Sequence, residues 1–248
     1  MTPFNEKLKK IRLKEILILI ILLYLLQYTL NTLNITIGAK YLYLIIVLYI
    51  LYKLKNEIFT IKKDIRDLFK LNILKNIIIL VILNIFLSYG MLYLSDEILN
   101  IAPSIKLLFN SFLSGSLIAT IFLSPISEEL IFRGVFINRL KLIVPPIFSI
   151  LISSLLFASL HTYGSIFSAF IFGLSMSILY IQTDNIFVPI FAHFLNNLIA
   201  ETIVYFDTAN VLFTNIHVIQ IMSVLAIISF IILLIIMILG LRKIKNNS

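Results

Sequence analysis

The sequence predicts an all-α, polytopic transmembrane bundle of about eight spans with both termini cytoplasmic. Three observations lead there. First, the 248 residues are 60% hydrophobic and only 13% charged, with a mean hydropathy of +1.08. A soluble domain carries roughly 25% charged residues, so this chain has about half the charge that a water-facing surface needs. That excludes a soluble globule and a disordered chain alike. Second, the apolar residues fall in long continuous runs, without the period-two alternation of lipid-facing strands. Third, the basic residues gather on alternate loops, as the positive-inside rule requires. The net charge of +8 therefore calls for no nucleic acid. The chain has no cysteine, which removes disulfides, cysteine-based zinc sites and thiol catalysis.

Crossing ~30 Å of hydrocarbon takes about 20 helical residues. The apolar runs lie at about 15–34, 41–54, 75–94, 105–126, 143–162, 165–182, 186–204 and 218–241, the second and seventh being short or partly polar. The first run follows Lys7, Lys9, Lys10, Arg12 and Lys14, as a signal peptide would. It lacks a small-residue cleavage site and further spans follow closely, so it is expected to stay as a membrane anchor. The loop at 53–75, with Asp64, Arg66, Asp67 and Lys70 among Ile and Leu, reads equally as an amphipathic helix on the inner leaflet or a solvated basic loop. With eight spans, that loop, the N-terminus, the stretch at 133–141 and the tail share one side and hold 18 of the 20 basic residues. Lys40, Lys106, Asp96, Glu97, Glu201 and Asp207 fall opposite. Without Trp, the interfacial aromatic role passes to Tyr: Tyr41, Tyr43, Tyr93, Tyr163 and Tyr205 near the outer ends, Tyr52 and Tyr180 near the inner ends.

An ionisable group at the bilayer centre costs roughly 2.5–3.5 kcal/mol by insertion scales, so such residues are read first as functional. One cluster is Ser124-Pro125-Ile126-Ser127-Glu128-Glu129-Leu130-Ile131-Phe132-Arg133-Gly134. On a helix Glu129 and Arg133 share a face at i,i+4 with the acid first, the better order for an ion pair. Glu128 projects about 100° away and has no such neighbour. One carboxylate is thus expected to be structural and the other free to act as a base. Pro125 predicts a kink close by. Taken alone, the cluster reads as well as interfacial charges ending a span. His161 follows Phe157 by one turn on the fifth span, and His193 shares a face with Asn197 on the seventh. His217, in an outer loop beside Asn215, is given no role. Counted from the cytoplasmic helix ends, Glu128 lies ~18 Å deep, His161 ~24 Å and His193 ~11 Å. Tilt can absorb such differences, so the three can meet.

Glu128-Glu129-x-x-x-Arg133, Phe157-x-x-x-His161 and His193-x-x-x-Asn197, in that order on successive spans, resemble the three motifs of the CPBP (Abi) family. Its members are bacterial relatives of the eukaryotic CAAX prenyl endopeptidases. The resemblance covers about 105–205, which makes that stretch the expected catalytic core. Residues 1–104 and 206–248 match only as hydrophobic helices around a basic loop and before a basic tail. The resemblance implies an intramembrane endopeptidase with its site open toward the cytoplasm. Glu128 would activate the hydrolytic water, His161 and His193 would line the site with Asn197 as a fourth polar partner, and Glu129 and Arg133 would be the supporting pair.

Two schemes fit these residues. In one, His161 and His193 hold a divalent metal, Zn²⁺ being the natural choice. In the other there is no metal: Glu128 and one histidine activate the water, while the other histidine and Asn197 stabilise the oxyanion. No H-E-x-x-H arrangement is present, and two histidines fall short of the three protein ligands a catalytic zinc usually takes. Two rival classes remain. A transporter would also carry intramembrane Glu and His, but no inverted repeat is evident. A binding or immunity protein would keep the pocket and hold a lipidated peptide uncut. Expected partners are membrane lipid and a hydrophobic or lipidated peptide or protein. Abundant Ile, Lys and Asn suit an AT-rich bacterial genome, and hence a bacterial plasma membrane.

Overall fold

A computed structural model describes residues 2–33, 40–99, 117–161 and 165–247, and among these every regular element is helical. In chain order they are α1 (Pro3–Lys10), α2 (Leu13–Thr32), α3 (Lys40–Lys53), α4 (Ile61–Leu68), α5 (Leu71–Leu99), a helical run α6 (119–140), α7 (Pro146–Ser159), α8 (Ile166–Thr183), α9 (Phe187–Phe206), a single turn α10 (Val211–Thr214) and α11 (Ile216–Asn247). Five of them, α2, α5, α8, α9 and α11, are long and apolar enough to cross a membrane. This is an integral, multi-pass membrane protein.

The expected runs at 41–54 and 143–162 become the 14-residue helices α3 and α7. At 1.5 Å per residue each covers about 21 Å, two-thirds of the hydrocarbon. The run at 105–126 begins outside the described residues, as do Lys106 and Tyr163. Burial ranks the five long helices. Two-thirds of α8 is buried, against 11% of the apolar window of α2, whose Ile18, Tyr24 and Tyr28 face outward. So α8 is the post around which α5, α7, α9 and α11 pack, and α2 is a peripheral, lipid-facing helix. It is held to α3 by Glu15, which accepts from Tyr49 Oη at 2.8 Å and pairs with Lys53 Nζ at 2.9 Å.

Three of the four segments expected on the basic side are tied together through the N-terminus. Lys7 pairs with Glu57 at 2.9 Å, Lys9 with Asp184, and Arg139 Nε donates to the Ile11 carbonyl at 2.7 Å. Of the two readings of the 53–75 loop, the amphipathic helix forms: it is α4, and it turns Asp64 and Leu68 inward. Burial holds the Asp64 carboxyl above the usual aspartate range, although Thr2 Oγ1 and Asn5 Nδ2 both donate to it.

Helix α6 departs from regular α-helical winding in two segments, and the two carboxylates lie between them. Residues Ala119–Leu123 and Leu130–Phe136 are wound in wide turns, so that Ser124 N bonds back five residues to Ala119 and Ile137 N to Phe132. Between them lies one regular segment, Ser124–Glu129, with Pro125 in its first turn. Proline lacks an N–H and its ring collides with the carbonyl four residues back, which a regular helix cannot absorb. The wide turn ahead of it gives that ring the room a regular helix would not.

Candidate active site

The Ser124–Glu129 segment presents both carboxylates, and its neighbours separate them. Glu129 is fully buried and its Oε1 receives Arg133 Nη1 at 3.0 Å, the expected i,i+4 pair. Arg133, also fully buried, sends Nη2 to the Gly173 carbonyl on α8 at 3.0 Å. A Cβ at Gly173 would sit 3.2 Å from Ser154 Cα and 3.3 Å from the Phe157 ring. The missing side chain thus lets α8 lie against α7 with its carbonyl in reach of the guanidinium. The same Glu129 oxygen also meets His193 Nδ1 at 2.9 Å. A carboxylate only accepts, so Nδ1 carries the proton and Nε2 is the nitrogen left for chemistry.

Glu128 is not the unattended carboxylate that helical geometry predicts. Ser124, one turn earlier, donates its hydroxyl to Oε1. The other oxygen, Oε2, lies 3.8 Å from His161 Nε2 and, among the described residues, is buried without a hydrogen bond. His161 itself is displaced from the position read in the sequence. Helix α7 ends at Ser159, so His161, expected within the span at 143–162, sits just past the end of the helix. The physical reason is a cap. The last carbonyls of a helix have no partner within it, and His161 Nδ1 turns back to the Phe157 carbonyl at 2.7 Å. A carbonyl also only accepts, so Nδ1 holds a proton and Nε2 is the nitrogen that faces Glu128.

Phe157 joins the two halves. Its ring lies 4.2 Å from the His161 ring, 6.0 Å from His193 and 4.6 Å beneath the Arg133 guanidinium. Exposure then tells outside from inside. Glu128 and His161 keep 14% and 30% of their side-chain surface open, whereas Glu129 keeps none and His193 5%. Asn197 is not bonded to His193. Its Nδ2 donates to the Thr120 carbonyl on the first wide turn at 2.9 Å, while its Oδ1 accepts from Asn196 at 3.3 Å.

Residues 110–199 match the family model for type II CAAX prenyl endopeptidases, described as Rce1-like. The chain carries a CAAX prenyl endopeptidase-like domain. No curated protein and no solved structure matches the chain. The family is one of intramembrane proteases, and the matched stretch holds all six residues singled out above. Outside it, His217 is exposed, its backbone N–H donating to Asn215.

A metal in the CAAX-protease domain would need donors that converge. Glu128 Oε2 and His161 Nε2 do so, and His193 gives Nδ1 to Glu129 and keeps Nε2 as its remaining donor atom. Among the described residues no group of three His, Cys, Asp or Glu side chains is arranged to hold an ion. Two donors do not fit a catalytic zinc, which takes three from the protein. With Nδ1 of His161 held by the Phe157 carbonyl and Nδ1 of His193 by Glu129, Nε2 is the atom through which the expected ligand pair would form. Motif reading also missed Ser124, Thr120, Gly173 and the Phe157 carbonyl. Only Ser124 had a signal in the sequence, its i,i+4 spacing from Glu128.

Proposed function

We propose that the chain is an intramembrane endopeptidase that hydrolyses a peptide bond in prenylated or otherwise membrane-anchored peptides, with Glu128 as general base. The observation that carries this reading is the approach of Glu128 Oε2 to His161 Nε2, 3.8 Å apart, on side chains that keep 14% and 30% of their surface open. A water admitted between the two side chains would be polarised by both. Glu128 takes its proton as the water oxygen attacks the scissile carbonyl, and later passes it to the leaving amine.

The developing oxyanion needs donors in a site that excludes water. His193 and Asn197 fill that role in this reading. In that role His193 donates Nδ1–H to Glu129 and would need a second hydrogen, on Nε2, for the oxyanion. Asn197 keeps a second amide hydrogen after the one given to Thr120. Arg133 and Glu129 do not touch the substrate; they hold His193 and the Phe157 ring in place.

The experiment is a comparison of membrane peptides between cells carrying the wild-type chain and cells carrying Glu128→Gln. Accumulation of an uncut precursor in the variant supports the reading. An unchanged peptide population together with an intact cellular phenotype would favour a binding or immunity protein instead. Activity of the purified wild type is expected to survive chelation, since the donor set does not complete a zinc site.

A further inference from the structure

The catalytic motifs lie within residues 110–199, yet the α9 helix that carries His193 is started by a side chain from the other end of the chain. The first turn of a helix leaves backbone N–H groups without internal partners, and each needs an acceptor. At the start of α9 they can be followed one by one. Phe187 N donates to the Asn185 side chain at 3.0 Å, and Val188 N to the Asn185 carbonyl at 3.2 Å. Pro189 has no N–H. Ile186 N is taken by Asn5 Oδ1 at 3.1 Å, across 181 residues of sequence.

Asn5 is fully buried and its other amide atom is also held, donating to Asp64 Oδ2 at 2.8 Å. Asn185 closes the ring by donating to the Asp64 backbone carbonyl at 2.8 Å. Around this polar knot α1 packs on both site helices. Phe4 lies against Phe187, ring centroids 5.6 Å apart, at the first residue of α9. Leu8, fully buried, covers Gly134 so closely that a Cβ there would come within 2.9 Å of it, one residue after Arg133. Arg139, near the end of α6, donates to the Ile11 carbonyl.

We propose that α1 is a positioning clamp for the active site: Asn5, through the Asn5–Asp64 pair, sets the start of α9 and with it His193, while Leu8 seats α6 beside Arg133. The proposal rests on the peptidase reading for its kinetic consequence. His193 is seven residues, ~11 Å, above Ile186 on a stiff helix, so movement at the start is passed to the imidazole. Asn5 and Leu8 touch no reacting atom; they act through His193 and Arg133.

The test is a double-mutant cycle in the full-length protein at neutral pH: Asn5→Asp, Asp64→Asn and both together. Asn5→Asp sets two carboxylates face to face and breaks the knot. In the double variant the roles exchange: the carboxylate now at position 5 accepts from Ile186 N and from the new amide at position 64. The readouts are hydrogen exchange of the amides at 186–190 and hydrolysis of a quenched-fluorescent farnesylated peptide. The clamp predicts that Asn5→Asp loses protection at 186–190 and loses kcat about tenfold or more with KM nearly unchanged, since a small misplacement near the chemistry is costly. It predicts that the double variant recovers both. Should Asn5→Asp fail to fold, recovery of fold, protection and kcat in the double variant gives the same support. An Asn5→Asp variant with full protection and kcat, or a double variant no better than Asn5→Asp, overturns the clamp. If the wild type does not cut the peptide, that counts against the peptidase reading, and exchange at 186–190 still decides the clamp.

Discussion

At the scale of single residues, the proposed reading separates the groups that do chemistry from the groups that hold them. In that reading Glu128→Gln keeps the shape of the side chain and removes the base, so the hydrolytic rate should fall by about 10²–10⁴ while the protein folds normally. Arg133→Ala should act differently. It leaves Glu129 buried and short of its charge partner, and losing one partner of a buried pair costs about 3–5 kcal/mol. Thermal unfolding in detergent would register that loss, and Arg133→Lys should recover only part of it, because one ammonium cannot serve both Glu129 and the Gly173 carbonyl in the guanidinium's planar geometry. The Glu129–Arg133 pair was legible in the sequence because an i,i+4 rule operates within one helix. The binding of His193 to Glu129 was not, because it joins residues 64 apart whose meeting depends on the tertiary fold. For the same reason helical spacing paired His193 with Asn197, whereas the structure turns Asn197 to Thr120.

At the scale of elements, helix ends and wide turns do most of the placing. Among the described residues the apolar runs form helices, five of them long enough to cross a membrane, since long hydrophobic stretches in lipid have no other way to satisfy their backbone. Their ends were less legible. His161 reads as a residue of the fifth span, whereas α7 stops at Ser159 and the His161 side chain returns to the Phe157 carbonyl. The contact of α7 with α8 offers a test. Gly173→Val would thrust a branched side chain at Ser154 and Phe157, each within 3.3 Å of where its Cβ must sit. Displacing Phe157 shifts the carbonyl that orients His161. The variant should therefore lose hydrolysis while size-exclusion chromatography still shows a folded, monodisperse protein. Gly173→Ala should be the milder of the two.

At the scale of the molecule, the small share of charged residues is divided between a basic end and a buried site. The basic end is more than a topology signal, because its loops are tied to one another and to α1. Asp64 sits inside it with a pKa raised mainly by burial, so the folded state favours the protonated acid. Its contribution to stability is therefore fully present in acid, below the unfolded pKa. It is lost as pH rises through that value to the higher folded one. Asp64→Asn should flatten this part of the stability–pH curve and raise the melting temperature at neutral pH relative to wild type, a difference seen in paired thermal melts. The measurement that bears most directly on the central claim is turnover of a farnesylated peptide by purified protein in H₂¹⁸O, read by mass spectrometry. Wild type should yield two fragments with one ¹⁸O in the new carboxyl terminus, Glu128→Gln and His161→Ala should yield neither, and chelation should leave the yield unchanged. Cleavage at the wild-type rate by Glu128→Gln would contradict the account.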